Sequence, residues 1–288
     1  MFEYFIYTVI KLLALTLPWR TLYWLPGKVA SLSYRLNRES RTGMKSNLRV
    51  ILGEEVSEEE IDRVARETFI NFGKYMLEFF GYARMDSRFL ENRVRIRGKE
   101  KLDEARSHGK GVIAVSAHLS NCELGGVKLV DVGYPVTGVA LEHERESVNR
   151  LFTKQRALKG IKAYSLTRGG RQCLEALRRN ELVCLVGDRD ITGTGIEIEY
   201  FGKPTKFPVG PARLSLATGA PILPTFVIRQ PDNTFDLIFE DPIHPPPTGD
   251  RKQLVSELTC AYARVCEKYV SAYPEQFANF FPIWEEQP

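Results

Sequence analysis

Residues 118–123, with the sequence HLSNCE, combine residue types and a spacing that could do chemistry. An imidazole and a carboxylate stand five positions apart, where the apolar run of residues 111–117 ends. On a continuous helix or strand, residues five apart point to different sides, so His118 and Glu123 meet only if the chain turns between them. Ser120 and Asn121 are preferred helix N-cap residues and predict that turn. The segment therefore predicts a histidine general base beyond a strand, oriented by an acid in the next helix.

Other interpretations of this segment stay open from spacing alone. A helix N-terminus favours a glutamate anyway, so His118 could be a surface residue beside an unrelated acid. Cys122 is of a nucleophilic type, but a small apolar filler on the helix is the favoured interpretation. An esterase using Ser116 or Ser120 ranks last, because neither serine stands in a G-x-S-x-G pattern.

A second segment, residues 186–195, places Asp188, Arg189 and Asp190 directly after an apolar strand. Charges at such a position are unfavourable unless they are paired or functional. The glycines that follow would let backbone amides approach a ligand closely. The Walker pattern is absent, so nucleotide binding is not indicated, and a structural Asp–Arg pair at the sheet edge is the alternative.

Basic residues between the two segments could bind an anionic substrate group. An arginine aimed into a cleft binds phosphate or carboxylate with two parallel hydrogen bonds. Arg168 follows a possible strand and precedes a helix start, and Arg156 lies on a predicted helix. Each of them taken singly also fits a surface position.

The histidines and cysteines outside the first segment predict no metal site. His108, His143 and His244 have no ligand-like spacing, and the five cysteines form no CxxC pair. Neither a zinc site nor a disulfide framework is expected, and the unpaired cysteines fit a reducing compartment.

The elements that must position these residues follow from hydrophobic periodicity. Residues 1–92 are predicted to be helical, with residues 56–84 opened by the capping box of Ser57 and Glu60. Short strands then alternate with helices. Strands are predicted at 94–97, 112–116, 136–139, 182–186, 196–200, 222–228 and 235–239, and helices at 148–158, 171–179, 211–218 and 253–273. This pattern predicts an α/β fold, a mixed central sheet flanked by helices, as one catalytic unit over residues 93–288.

That fold predicts where a ligand would bind. In open α/β sheets, ligands gather beyond the carboxyl ends of the strands. His118 follows one predicted strand and Asp188 another, so both are expected to line one cleft.

The N-terminal region is predicted to associate with a membrane. The 288-residue chain carries a net charge of +4, yet residues 1–52 alone hold eight Lys or Arg against Glu3 and Glu39. Basic residues recur at spacings of three and four from Arg35 to Arg49, so one helix would present them as a stripe, although Gly43 interrupts it. Anionic lipid is the favoured partner, a solvated face is the alternative, and no nucleic-acid module is recognisable.

Residues 1–24 are strongly apolar and aromatic. A signal peptide is not predicted, because Lys11 breaks the apolar region and no cleavage site follows. Glu3, Lys11 and Pro18 leave fewer than the roughly 20 apolar residues that a spanning helix needs. The favoured interpretation is a segment in the bilayer interface, with Trp19, Tyr23 and Trp24 at headgroup depth; burial against the protein is the alternative.

Taken together, these segments resemble the lysophospholipid acyltransferase superfamily, nearest to the bacterial lipid A late acyltransferases and the actinobacterial phosphatidylinositol mannoside acyltransferases. His118, four residues and Glu123 match the family's histidine–acid pair. Further segments follow in the family's order: residues 47–48, 187–195, 200–202, 208–212, 218–221 and 273–284. The sequence of residues 188–195 looks more like the mannoside branch, which favours a glycosylated phospholipid acceptor over lipid A.

The resemblance implies transfer of an acyl chain from acyl carrier protein or acyl-CoA to a hydroxyl of a membrane lipid. His118 would deprotonate the acceptor, and Glu123 would orient and stabilise the imidazolium. No cofactor or metal is implied, since a hydroxyl and a thioester need a base and an oxyanion site. The protein would lie at the cytoplasmic face of the inner membrane, peripheral or anchored by its N-terminal region.

The resemblance also implies the substrate-binding residues. Arg156, Arg168 and Asp188 match family positions by order and would shape the binding of acceptor and donor, and Arg189 is predicted to bind substrate with them. A non-catalytic lipid-binding protein of the same fold is the alternative from another functional class. Retention of both members of the histidine–acid pair argues against it.

Overall fold

A computed structural model describes residues 2–284 of the chain. Its α-helices are α1 (Phe2–Thr16), α2 (Trp19–Leu36), α3 (Arg38–Leu52), α4 (Glu58–Phe80), α5 (Ser87–Arg93), α6 (Lys99–Ser107), α7 (Cys122–Asp131), α8 (Glu146–Ala157), α9 (Gly169–Arg178), α10 (Gly210–Thr218) and α11 (Arg251–Ala272). Its strands are β1 (Val94–Arg97), β2 (Val112–Ser116), β3 (Val136–Ala140), β4 (Lys162–Ser165), β5 (Leu182–Val186), β6 (Ile196–Tyr200), β7 (Lys203–Phe207), β8 (Ile222–Arg229) and β9 (Phe235–Phe239).

Seven strands form a central sheet in the order β1-β9-β8-β2-β5-β3-β4. Neighbours pair in parallel except β8 and β9, which are antiparallel. Successive residues of β2 enter different cores, Val112 on one face and Ile113 on the other, as the twofold alternation of a strand requires. Helices α6, α7 and α8 bury residues in the first core, and α9, α10 and α11 in the second. The predicted fold class, a mixed sheet flanked by helices, is confirmed.

One strand prediction needs correction, and two further strands, β4 and β7, are absent from the predicted set. The predicted strand 196–200 forms, but it pairs with β7 in a separate hairpin instead of joining the central sheet. β7 was not predicted, because residues 201–212, which contain it, are rich in proline and glycine and have a turn-like composition. β4 lies at the edge of the sheet and pairs only with β3. An edge strand is less buried than a central one, and β4 accordingly lacks the strongly apolar composition by which the other strands were predicted.

The N-terminal helices pack on the α/β unit through α4, and α1 and α3 also contact α8 and α11 directly, respectively. The capping box is confirmed, since the Ser57 hydroxyl accepts a hydrogen bond from the Glu60 amide at 3.2 Å. Helices fill most of residues 2–93, although β1 at residues 94–97 belongs to the same sheet as the rest of the chain. The division into a membrane-associating region, residues 1–92, and one catalytic unit, residues 93–288, stays a prediction.

The prediction of one continuous basic stripe is wrong. Asn37 separates α2 from α3 and caps α3, because its side chain accepts a hydrogen bond from Ser40 N–H. Two members of the stripe are also ion-paired with α4: Lys45 with Asp62 at 3.0 Å, and Arg49 with Glu58 at 2.7 Å. Part of the predicted charge is therefore neutralised within the protein.

Helices α1 and α2 each bury one face against the protein and expose the other, and the exposed face of α1 is largely apolar. Ala14 and Leu22 are fully buried, and the ring of Trp19 stacks on Tyr23 with centroids 5.9 Å apart. Trp19 and Tyr23 are half-buried, and their predicted position at headgroup depth stays a prediction. Trp24 is 61% exposed. The exposed apolar residues of this region are Tyr4, Phe5, Ile6, Val9, Leu12, Leu15, Trp24, Val29, Leu32 and Leu36.

No helix within residues 2–284 combines the length and the apolar character needed to cross a membrane.

Candidate active site

The predicted catalytic turn lies at the carboxyl end of the central strand β2 and is held by a distant part of the chain. The backbone carbonyl of His118 accepts a hydrogen bond from Ala278 N–H at 2.8 Å, and Ser120 N–H donates to the Gln276 carbonyl at 2.7 Å. Ser120 adopts a left-handed conformation with φ of 53°, which is uncommon outside glycine and asparagine. These contacts fix the turn on both sides of Leu119, which itself forms a β-bridge with Phe277.

Asn121 ends the turn and begins helix α7, as the sequence predicts. Its side-chain oxygen accepts a hydrogen bond from Leu124 N–H at 3.1 Å, the geometry of an N-cap. The same oxygen accepts a hydrogen bond from the Tyr82 hydroxyl at 3.2 Å, and the amide nitrogen donates to Glu78 at 2.9 Å. Asn121 is fully buried. Its side chain thus fixes the start of α7 to helix α4 and to the residues that follow it.

A buried ion pair lies beneath the turn. Arg229 donates two hydrogen bonds to the Glu78 carboxylate, at 2.6 and 2.8 Å, and both side chains are almost completely excluded from solvent. Gln276 accepts a hydrogen bond from Arg229 N–H at 2.9 Å and donates to its carbonyl at 3.0 Å. A charge without a partner at this depth would be strongly unfavourable. The network therefore joins α4, β8 and the C-terminal segment as one support.

The imidazole of His118 is hydrogen-bonded to Asp188. Its Nδ1 lies 2.6 Å from Asp188 Oδ1, and the His118 backbone N–H donates to Oδ2 at 3.0 Å. The Asp188 side chain has no solvent exposure, whereas that of His118 is 31% exposed. β2 and β5 are parallel neighbours with Ser116 opposite Val186, so the residues that follow the two strands meet. One carboxylate thus fixes both the backbone and the ring of the histidine.

Asp188 is ionised in this environment. Burial alone would raise the pKa of its carboxyl group. The charge of His118 and the hydrogen bonds from its ring and backbone outweigh that effect, and hold the pKa of Asp188 below its usual value. The carboxylate is therefore available to orient the ring and to stabilise an imidazolium.

The prediction that Glu123 is the hydrogen-bond partner of His118 is wrong. Both oxygens of Glu123 accept hydrogen bonds from Arg156, at 2.9 and 2.7 Å, which is a bidentate pair. The guanidinium also lies over the rings of Phe79 and Phe152, 5.5 and 5.9 Å from their centroids. Helix α8 brings Arg156 to the first turn of α7, and this close cation directs the carboxylate away from the imidazole.

A cavity of about 730 Å³ opens beside these residues. His118, Glu123, Arg156 and Arg189 line it together, so the structure brings four of the six predicted site residues to one cavity. The rest of its wall is mainly apolar and includes Ala114, Gly125, Gly126, Leu129, Val136, Gly138, Phe152, Ile161, Leu174, Cys184, Leu185, Leu214 and Val227. Glycine is required at position 125, where an added Cβ would lie 2.8 Å from Val227.

Two of the six predicted site residues, Asp188 and Arg168, do not line the cavity, so the expectation that His118 and Asp188 both line one cleft is wrong for Asp188. Arg189 lies over the Phe281 ring at 5.4 Å, and none of the ion pairs described for residues 2–284 involves it. Arg168 is exposed at the start of α9 and does not line the cavity. Cys122 lines it, but burial and then the neighbouring Glu123 charge raise the pKa of its thiol to about 12, so it is not a thiolate nucleophile at neutral pH.

Parts of the site were not predicted from the sequence. Asp188 was expected to bind substrate, and its hydrogen bond to His118 was missed. The signal for that bond was the position of each residue directly after an apolar strand, because adjacent parallel strands place such residues together. The support from Glu78, Arg229 and Gln276 had no local signal, since these residues are widely separated in the sequence.

Comparisons with a family model and with individual known proteins agree on one family of acyltransferases. The family model described as bacterial lipid A biosynthesis acyltransferase matches residues 1–286. A phosphatidylinositol mannoside acyltransferase of Mycobacterium tuberculosis (strain CDC 1551 / Oshkosh) is 37% identical over 161 residues, 54% of this chain and 51% of that protein. Its counterpart from Mycolicibacterium smegmatis is 28% identical over 245 residues, 84% of this chain and 78% of that protein.

A lipid A biosynthesis acyltransferase of Haemophilus influenzae is more distant, at 24% identity over 216 residues, 75% of this chain and 68% of that protein. The chain spans about half the length of the Mycobacterium tuberculosis relatives that it matches. The family-model match nevertheless extends over nearly all of the chain. The chain therefore belongs to the bacterial lipid A biosynthesis acyltransferase family.

Proposed function

We propose that this protein is a membrane-associated O-acyltransferase that moves a fatty acyl chain from a thioester to a hydroxyl of a glycosylated phospholipid. The observation that carries the proposal is a histidine, oriented by a buried aspartate, at the wall of a largely apolar cavity. The family and the mycobacterial relatives named above support the reaction class and the acceptor. The thioester would be acyl-CoA or acyl carrier protein.

His118 acts as the general base in this proposal. With Nδ1–H donated to Asp188, Nε2 is left with its lone pair for the proton of the acceptor hydroxyl. The acceptor oxygen attacks the thioester carbonyl, and the C–S bond breaks as the tetrahedral intermediate collapses. The thiolate leaving group then takes up the proton from the imidazolium. Asp188 stabilises the imidazolium between these two steps, as the acid of a catalytic triad does.

The Glu123–Arg156 pair is proposed to position the wall of the cavity instead of transferring a proton. Each charge is satisfied by the other through two hydrogen bonds, which ties α7 to α8 beside the cavity. Arg189 and Arg213 both lie on the cavity wall, and none of the ion pairs described for residues 2–284 involves either arginine. We assign to Arg189 the binding of a phosphate, from the acceptor headgroup or from the donor.

The apolar part of the cavity is proposed to hold the acyl chain. Its volume lies within the range of small-ligand pockets, roughly 300–1,000 Å³. Removal of each methylene from water contributes about 0.8 kcal/mol, so a long chain would be bound mainly by this wall. The chain's thioester carbonyl would then lie near His118, because His118 and the apolar residues line one continuous cavity.

The exposed apolar face of α1 and α2 is proposed to contact the membrane. Large apolar side chains in water on adjacent helices are typical of an interfacial surface. Phe5, Leu12 and Trp24 are each more than half exposed. The acceptor would thus enter from the lipid layer, while the soluble thioester would come from the cytoplasm. Peripheral attachment to the cytoplasmic face of the inner membrane is the localisation that we infer.

The test is thioester consumption by purified protein with defined acceptors. A phosphatidylinositol mannoside, a lipid A precursor and a plain phospholipid are each offered with acyl-CoA and with acyl carrier protein. We expect free thiol and acylated lipid, identified by mass spectrometry, only with the correct acceptor. His118→Ala is expected to lower the rate at least 10²-fold, and the exposed Asp232→Asn serves as a matched surface control. Unchanged turnover in folded His118→Ala would contradict the mechanism.

A non-catalytic lipid-binding protein is the second candidate, favoured by the apolar cavity alone. It predicts saturable lipid binding with no thioester consumption for any acceptor. The same assay therefore separates the two functions.

A further inference from the structure

Two of the four histidines of the chain lie side by side, although they are far apart in the sequence. His108 follows helix α6, and His244 follows Ile243, which bridges to the first residue of β8. The ring centroids are 5.3 Å apart and the ring planes meet at 81°. Glu104 lies one helical turn before His108 and contacts both rings. The fold thus creates a cluster whose members have no ligand-like spacing in the sequence.

The donor atoms of this cluster fit one transition-metal ion. His108 Nε2 is 3.1 Å and His244 Nε2 3.9 Å from the same Glu104 oxygen, and the three ligand atoms lie within 4.8 Å of one another. Nitrogen and oxygen ligands at about 2.0–2.1 Å from a tetrahedral zinc are roughly 3.3 Å apart. We propose that Glu104, His108 and His244 bind one Zn²⁺, with water as the fourth ligand. Small side-chain rotations would close the set around the ion.

The backbone around the cluster is held in place. Ile222 and Ile243 exchange two backbone hydrogen bonds, at 2.9 and 2.7 Å, next to His244. The Ser107 hydroxyl donates to the Glu104 carbonyl at 2.7 Å. A site whose backbone is already positioned loses little conformational entropy when the ion binds.

The chemistry of the cluster selects the ion. Both ion pairs described for Glu104 within residues 2–284 are with these two imidazoles, so no lysine or arginine competes for its carboxylate there. Two imidazoles and one carboxylate favour zinc over magnesium or calcium, which prefer oxygen ligands. The three side chains are about half exposed, which leaves the ion a path from solvent.

The position of the cluster separates it from the proposed reaction. α6 leads into the amino end of β2, and Ile222 opens β8, whereas His118 follows the carboxyl end of β2. The ion would therefore lie at the opposite end of β2 from His118. It would tie α6 to the segment between β9 and α11, so its effect is on stability. This inference does not depend on the proposed function.

The experiment measures zinc binding by the full chain, prepared without a histidine tag and treated with a chelator. Calorimetric titration with ZnCl₂ and thermal unfolding with and without zinc are compared for the parent, His108→Ala and His244→Ala. Glu100→Gln, an exposed change on the same helix, is the matched control. We expect one zinc per chain and a raised Tm for the parent and the control. Each histidine variant should bind zinc at least about tenfold more weakly than the parent and should show no rise in Tm with zinc.

The apo forms of the two histidine variants are expected to unfold at the parent temperature, because both side chains are exposed. The proposal is overturned if the parent shows no saturable zinc binding at concentrations up to about 100 μM. A site with a weaker Kd than this would add little stability. It is equally overturned if both histidine variants bind zinc as tightly as the parent. That result would indicate that the zinc binds elsewhere, for example at the cysteines. A Tm rise with Mg²⁺ equal to that with Zn²⁺ would also contradict it.

Discussion

Replacing Asp188 by asparagine tests the proposed mechanism most directly. The substitution keeps the size of a fully buried side chain but removes the charge that faces the His118 ring at 2.6 Å. A hydrogen bond between charged groups contributes about 1.5–3 kcal/mol, and the imidazolium exists only in and after proton transfer. Asparagine can also donate to Nδ1, which would place the ring proton on Nε2 and remove the base. Together these effects predict a fall in kcat of roughly 10²–10⁴-fold.

The assay is the initial rate of thiol release at saturating acceptor, with product confirmed by mass spectrometry. KM for the acceptor should change little, because Asp188 does not line the cavity. Circular dichroism and the Tm establish that the variant is folded, and Asp232→Asn controls for an exposed change of the same type. A folded Asp188→Asn enzyme with kcat within threefold of the parent would refute the role assigned to the His118–Asp188 hydrogen bond.

Further predictions concern the cavity and stability. Gly126→Leu should shift donor preference to shorter chains, about fourfold per excluded methylene, because a Cβ there lies 3.3 Å from Ile161; equal rates with all chain lengths would contradict it. Burial raises the pKa of Cys122 to about 12, so its thiolate fraction at pH 8 is roughly 10³-fold smaller in the native than in the unfolded protein. Cys122 should therefore be alkylated roughly 10³-fold more slowly in the native protein; equal rates would contradict it. Glu78→Gln should lower the free energy of unfolding by about 3–5 kcal/mol in urea titrations, because it leaves a buried arginine unpaired; a change under 1 kcal/mol would contradict it. The pKa of Asp62 is lowered, first by the hydrogen bond from a tyrosine hydroxyl. Its stabilisation is therefore present above the unfolded pKa near 4 and is lost as pH falls. Asp62→Asn should be less stable than the parent at pH 7 by about 1–2 kcal/mol, with a smaller difference at pH 3; a constant difference would contradict it.

Local patterns predicted much of the fold. Strands β2 and β5 have continuous apolar runs, β8 is buried along its whole length, and helix α4 has both a capping box and an apolar face. Such signals lie within one element, so a single sequence displays them. The hairpin strand β7 was missed because its pairing with β6, not its own composition, makes it a strand.

The site was predicted less completely than the fold, for a physical reason. His118 was found because a titratable residue after an apolar strand is unusual. Its hydrogen-bond partner was misassigned, because sequence proximity favoured Glu123, whereas strand adjacency brings Asp188 to the ring. The bidentate contact between Glu123 and Arg156 depends on how α8 packs, which no local pattern specifies.

The backbone contacts between the catalytic turn and the C-terminal segment have a consequence for biosynthesis. The ribosome makes Gln276 and Ala278 long after it has made His118, and both hydrogen-bond to the turn. A nascent chain that already contains the histidine therefore lacks the groups that fix its backbone. We expect the protein to become competent for chemistry only after residues 276–278 have left the ribosome and bound the turn.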